Sequence, residues 1–158
     1  MADLTRDQVI YLIAINSGHG VVLRGVDLGG VDLSNLELSE VNLNQARLRA
    51  TTLSRANMQK ANLQEANLEY ADLSEANLKG ASLRGAILVG ADLRAVDLSD
   101  ADLREADLRS ANLRGAVLNR TNLWNANLKD ANLIYANIDG AKGLPVEIYE
   151  QVKGETGS

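Results

Sequence analysis

Cysteine and phenylalanine are absent from this chain, and proline (Pro145), histidine (His19) and tryptophan (Trp124) occur once each. Without cysteine there is no disulfide and no thiolate metal site, and no redox compartment is implied. The single histidine is the only neutral-pH base; it sits between Gly18 and Gly20 with no Ser or Cys partner implied nearby, so a solvated loop residue is expected. Long apolar runs are missing as well, which excludes a membrane-spanning helix. Asp3 and Asp7 stand where a secretory leader would be basic. A cytoplasmic location without membrane association is therefore expected. Neither sign of charge dominates: the net charge is −5, and between Val21 and Gly140 there are 16 acids and 13 bases. Direct nucleic-acid binding through a basic face is not expected from this balance.

What the chain has instead is a rhythm. From Leu23 to Ile138 every fifth residue is a large aliphatic, 24 in succession, of which 22 are Leu, one is Met58 and one Ile138. Two residues before each stands a small or β-branched residue, 16 times Ala, five times Val, twice Thr and once Leu36. The residue directly before is Asn or Asp at 17 positions, and the two that follow are free to vary. Neither regular element can use a period of five. On a helix, five steps advance about 500°, so the leucines would walk round the cylinder. On a strand an odd step points successive leucines to opposite faces. The chain must therefore turn once per quintet in a constant sense, which winds it into a narrow coil with Leu and Ala inside and layers about 4.8 Å apart. Asn and Asp suit a place beside each corner. Periodicity alone does not fix how many quintets complete one coil.

The repeated Ala-(Asn/Asp)-Leu-X-X unit, as in Ala61-Asn62-Leu63 and Ala101-Asp102-Leu103, closely resembles the pentapeptide-repeat family over 120 of 158 residues. The resemblance implies an all-β solenoid, a right-handed quadrilateral parallel β-helix with four repeats per coil. It would have six coils here, a rod of roughly 29 Å, of the short, loop-free cyanobacterial type. The family often places Phe at the central position; its absence here implies a uniform tube.

The ends differ from the middle. Residues 1–20 read as a capping helix with Thr5 or Asp3 as its cap and a broad apolar side of Val9, Ile10, Leu12, Ile13 and Ile15, followed by a joint from Ser17 to Gly20. Such a lid covers the unpaired backbone of the first coil, which otherwise invites end-to-end association. Val21, Val26, Val31 and Leu36 replace Ala in that coil, as suits a layer facing a helix. Residues 21–140 form the repeat region. Residues 141–153 are a second cap, helical from Leu144 to Val152 after Pro145, and 154–158 are expected to be disordered.

The search for chemistry is negative. Asp92, Asp97, Asp102 and Asp107 would lie on different sides of a four-sided coil, so they cannot converge on a metal or a bond. Gly25, Gly30, Gly80, Gly85, Gly90, Gly115 and Gly140 all take the last repeat position and mark turns, not a phosphate loop. No catalytic residue, cofactor, metal or small-molecule substrate is expected. The candidate interaction surface consists of Arg84, Arg94, Arg104, Arg109 and Arg114, which Glu105 and nearby Asp residues would neutralise. It also includes Tyr70, Ile87 and Val89, without cover, and Trp124, which together with Val117, Ile134 and Tyr135 is expected to pack under the C-terminal helix. The function expected is a non-enzymatic module presenting rigid faces to a protein partner, as a monomer or weak dimer. The alternative implied by the resemblance is a DNA mimic acting on gyrase or topoisomerase.

Overall fold

The computed structural model describes residues 1–16 and 20–154, so His19 and most of the joint lie outside the described residues. Each quintet closes the same turn. The amide three residues after the central aliphatic donates back to that aliphatic's carbonyl, as Val26 does to Leu23 (3.3 Å) and Ala61 to Met58 (3.1 Å). The residue before that donor has φ between 53° and 71° at every repeat from Gly25 to Gly140, the mark of a type II turn. Seventeen of these corner residues are not glycine, Tyr70 and Ala95 among them. Each costs about 1–2 kcal/mol relative to an ordinary conformation, so the stacked layers, not local preference, hold the corners.

The Asn or Asp before each Leu sits beside the corner and not on it. Its side-chain oxygen accepts the N–H two residues on, as Asn42 does from Asn44 (3.1 Å), Asn62 from Gln64 (3.1 Å) and Asp97 from Ser99 (2.9 Å). This bond orients the chain into the turn that follows.

Twenty residues complete one coil. Parallel bridges run without exception between residues 20 apart, from Val22 with Asn42 to Asn122 with Lys142. Three backbone bonds recur on each side: Leu23 N–H to Asn42 C=O (2.7 Å), Gly25 N–H to Asn44 C=O (2.9 Å) and Asn42 N–H to Val21 C=O (2.8 Å). A coil therefore holds four quintets. Quintets whose central residues differ by twenty share a side, and Leu28, Leu48, Leu68, Leu88, Leu108 and Leu128 form one inner column. The central aliphatics from Leu23 to Leu123 are at most 2 % exposed, and the Ala columns fill the space between them. Where Thr51 and Thr121 replace Ala they remain buried, because their hydroxyls donate to the carbonyls of Leu28 and Leu98, both at 2.8 Å.

Helix α1, Arg6–Ile15, begins with a capping box: Thr5 Oγ1 accepts the Gln8 N–H (3.3 Å) and Gln8 Oε1 accepts the Thr5 N–H (2.8 Å). Its apolar side is narrower than expected. Val9 is buried and Leu12 and Ile13 half-buried, but Ile10 and Ile15 are exposed, since a helix laid over a narrow tube end touches it along one stripe. Helix α2, Val146–Gly154, starts directly after Pro145 and extends through Gly154, which was expected in the tail; residues 155–158 lie outside the described residues. Leu144, Ile148 and Val152 pack on the core where Ala126 and Ile138 are half-buried. Trp124 and Tyr135 are 58 % and 59 % exposed, so they do not form the seat of α2, while Val117 and Ile134 are half-buried. The two residues after each Leu point outward from the sides of the tube, where a helix across its end cannot reach them. No described helix is long and apolar enough to cross a membrane.

Candidate interaction faces

The twenty-residue coil distributes the candidate residues over three sides. Tyr70, Ile87, Val89 and Arg109 belong to the column of Leu68, Leu88 and Leu108. Arg84, Arg104 and Trp124 belong to that of Leu83, Leu103 and Leu123, and Arg94 and Arg114 to that of Leu93 and Leu113.

On the first side Tyr70 occupies a corner (φ 56°) and is 57 % exposed. Its ring lies against Gly90 one layer on: a Cβ at Gly90 would stand 2.8 Å from the ring carbons. The Arg49 guanidinium sits over the ring, 5.1 Å from its centre, while its Nη1 reaches Glu69 Oε2 at 3.1 Å. Ile87 is 37 % exposed and Val89 half-buried. The result is a small apolar step bordered by ion pairs. Arg49 was not among the residues singled out from the sequence. It stands 21 residues before Tyr70, the offset at which Arg114 meets Tyr135 (4.6 Å) and Arg84 meets Glu105 (2.8 Å). Once the coil length is known, this offset identifies such pairs.

The arginines do not form a free cationic stripe. Asp-Leu-Arg occurs at 92–94, 102–104 and 107–109, and each Arg folds back on the Asp of its own quintet. In Asp102 and Arg104 the contacts are Nε to Oδ1 at 2.9 Å and Nη2 to Oδ2 at 2.6 Å; in Asp107 and Arg109 they are 2.9 and 2.7 Å. Arg94 grips Asp92 in the same fork. Arg120 reaches back one layer to Asp100 at 2.6 Å. These guanidinium hydrogen bonds hold the carboxyls of Asp92, Asp100, Asp102 and Asp107 below the usual carboxylate range. A carboxyl with a lowered folded-state pKa stabilises the fold above its unfolded pKa of about 4, and that contribution is lost as the pH falls through the lower folded value. The melting temperature should therefore be flat from neutrality to about pH 5 and fall below about pH 4. In Asp102→Asn that acid slope should be shallower, measured by thermal melts across pH; an unchanged slope would remove the pair from the stability of the rod.

Among the described residues no cluster of three or more His, Cys, Asp or Glu is placed to hold a metal ion. Clefts among the described residues lie beside α2, between Asn127, Leu128, Pro145 and Ile148 and between Ile138, Gly140, Tyr149 and Val152, near the N-terminus between Met1, Asp27 and Arg49, and on the side of the rod between Gln64, Arg84 and Glu105. The interior of the described coils is filled by Leu and Ala.

A family profile described as Pentapeptide repeats matches residues 19–55, 71–109 and 111–142 in eight copies. Among solved structures the chain is similar to HetL of the cyanobacterium Nostoc sp. strain PCC 7120, described as a pentapeptide repeat protein involved in heterocyst differentiation regulation. The two are 33 % identical over 76 % of this chain and 73 % of that one, with a TM-score of 0.51. The pentapeptide repeat protein Rfr23 of the cyanobacterium Cyanothece 51142 is 28 % identical over 85 % of this chain and 94 % of its own, with a TM-score of 0.48. The protein alr5209 of Nostoc PCC 7120 is 32 % identical over 89 % and 90 %, with a TM-score of 0.36. No curated protein matches the chain.

Proposed function

Because the chain belongs to the pentapeptide-repeat family, we propose that it is a non-enzymatic interaction module, a right-handed four-sided rod that offers a protein partner one of its faces. The observation that carries this reading is the apolar step of Tyr70, Ile87 and Val89. Among the described residues Tyr70 and Ile87 stay exposed and Val89 half-buried, while the charges around them, Arg49 with Glu69 and Arg109 with Asp107, are already paired. A partner there would bury apolar surface without having to desolvate unpaired charge. The similarity to HetL, described as acting in regulation, supports a regulatory role over a catalytic one. The DNA-mimic alternative has less support, since Asp92, Asp100, Asp102 and Asp107 each carry an arginine.

The test is affinity capture with the double variant Tyr70→Ser and Ile87→Ser. A partner held by the parent should be lost, while the melting temperature stays within a few degrees, because both side chains project outward. Equal recovery of the same partner by parent and variant would exclude this face. Inhibition of gyrase supercoiling by the parent would favour the alternative instead.

A further inference from the structure

Resting on the reading of the Leu88 side as a docking face, we infer that the partner it fits is a second copy of this chain, lying antiparallel with its own Leu88 side against the first. Among the 24 quintets only Ala86 to Gly90 carries aliphatics on both sides of its central Leu, Ile87 before it and Val89 after it. Both belong to one layer, whose corner is Gly90, with no side chain to hold a neighbour off. The layers on either side are charged, with Glu69 in the one before and Asp107 and Arg109 in the one after. An apolar band between layers of different charge is satisfied by a copy of itself. A two-fold axis through the band sets apolar on apolar and exchanges the charged layers.

The register fixes which residues then meet. Residues 20 apart are one layer apart, so equivalent places in the quintets form lines along the rod. An axis lying across the side at Leu88 reverses the rod and keeps each line opposite itself. Ile87, Val89 and Gly90 then face their own counterparts. One layer out, Glu69 faces Arg109 of the second copy and Asn67 faces its Asp107, each contact made twice by symmetry. Among the described residues Arg109 holds Asp107 with Nε and Nη2, and Glu69 accepts Arg49 on Oε2. Arg109 Nη1 and Glu69 Oε1 are left to meet across the interface, a charge-assisted contact. Arg49, still held by Glu69, comes opposite Lys129 only at the rim, where salt screens like charges. Turning the axis along the rod instead would set Arg47 and Arg49 on Arg49 and Arg47 of the second copy, four cations in one layer, so the antiparallel pair is favoured. Its aliphatic centre is two residues from each copy, which places it at the weak, concentration-dependent end of specific interfaces.

The test is sedimentation equilibrium of the full chain over a concentration series. The mass of the parent should rise from one chain towards two and stop there. Glu69→Arg and Arg109→Glu, each alone, set like charges opposite one another at both contacts and should hold the mass at one chain. Mixed in equal amounts, the two variants restore both opposite-charge contacts, and the mass should rise towards two again. The parallel arrangement gives no such rescue, because position 69 would then meet position 67. The absence of cysteine supplies an independent measurement. Val89→Cys, mildly oxidised with diamide, should form a disulfide-linked pair, and Ser54→Cys, on the Leu53 side, should not; this decides the matter if a charge variant does not fold. A parent that stays at one chain, charge variants that associate as the parent does, or a mixture without rescue would each overturn the proposal. If the parent stays single while Tyr70→Ser with Ile87→Ser still loses a captured protein, the docking face stands and only the second copy is removed. If no captured protein is lost either, both readings fail.

Discussion

Leu73→Asp is expected to unfold most of the rod. Leu73 is fully buried in the middle of its column, and the layers on either side leave no path by which an aspartate could reach water. Truncation to Ala at such a position costs about 2–5 kcal/mol through lost burial and the cavity left behind. A carboxylate adds the cost of a buried, unpaired polar group, so the total should exceed about 5 kcal/mol, at the far end of single-substitution effects. The loss would spread, because each coil is stabilised by its neighbours and the ladder bonds of Leu73 and Leu53 share the same stack. Circular dichroism melts read the result directly. A variant melting within a few degrees of the parent would show that the leucines do not line the interior.

Gly143→Ala is expected to be the most damaging glycine substitution, and Gly115→Ala a mild one, although both residues have positive φ (80° and 67°). A methyl at Gly115 meets nothing within 4 Å. Its cost should be the conformational one, about 1 kcal/mol. A methyl at Gly143 would stand 2.5 Å from the Trp124 amide nitrogen and 2.6 Å from its Cα. Those are backbone atoms tied to the preceding coil, where the Glu105 N–H donates to the Trp124 carbonyl at 3.0 Å, so neither side can yield. The chain must lift at this point, two residues before Pro145 and the start of α2, and the cap should detach from Ala126 and Ile138. The expected loss is about 3 kcal/mol or more, strain added to the conformational cost, together with faster exchange in Val146–Gly154. Equal melting temperatures for the two variants would mean that the close approach of Gly143 to Trp124 does not hold in solution.

The candidate faces were legible only in part. Tyr70, Ile87 and Val89 could be placed outside the tube from their repeat positions. That Tyr70 rests on Gly90 and under Arg49 required knowing that 20 residues return the chain to the same side. The pairing of Arg84, Arg94, Arg104 and Arg109 with carboxylates could be anticipated from the neighbouring acids. The particular fork of Asp102 and Arg104, within one quintet and not between layers, depends on how the Asp side chain is held when it accepts the Arg104 backbone N–H (3.1 Å). Trp124 and Tyr135 show the opposite case, because an apolar side chain near a predicted helix suggests burial, and the direction in which its repeat position points overrules proximity.

From the sequence alone came the turn in every quintet, the inward Leu and Ala columns and the two end caps. All of these follow from spacing and residue type, which act over a few neighbouring bonds. The tertiary structure decided the return of the chain to the same side after 20 residues, which periodicity left open and the family resemblance implied, the charge pairs between layers such as Arg55 with Glu75 and Arg120 with Asp100, and the contacts of Asp3 and Arg6 with Asp27, Asp32 and Ser34. Those contacts join residues 20 or more positions apart, and only the stacking of whole layers brings them within hydrogen-bond reach.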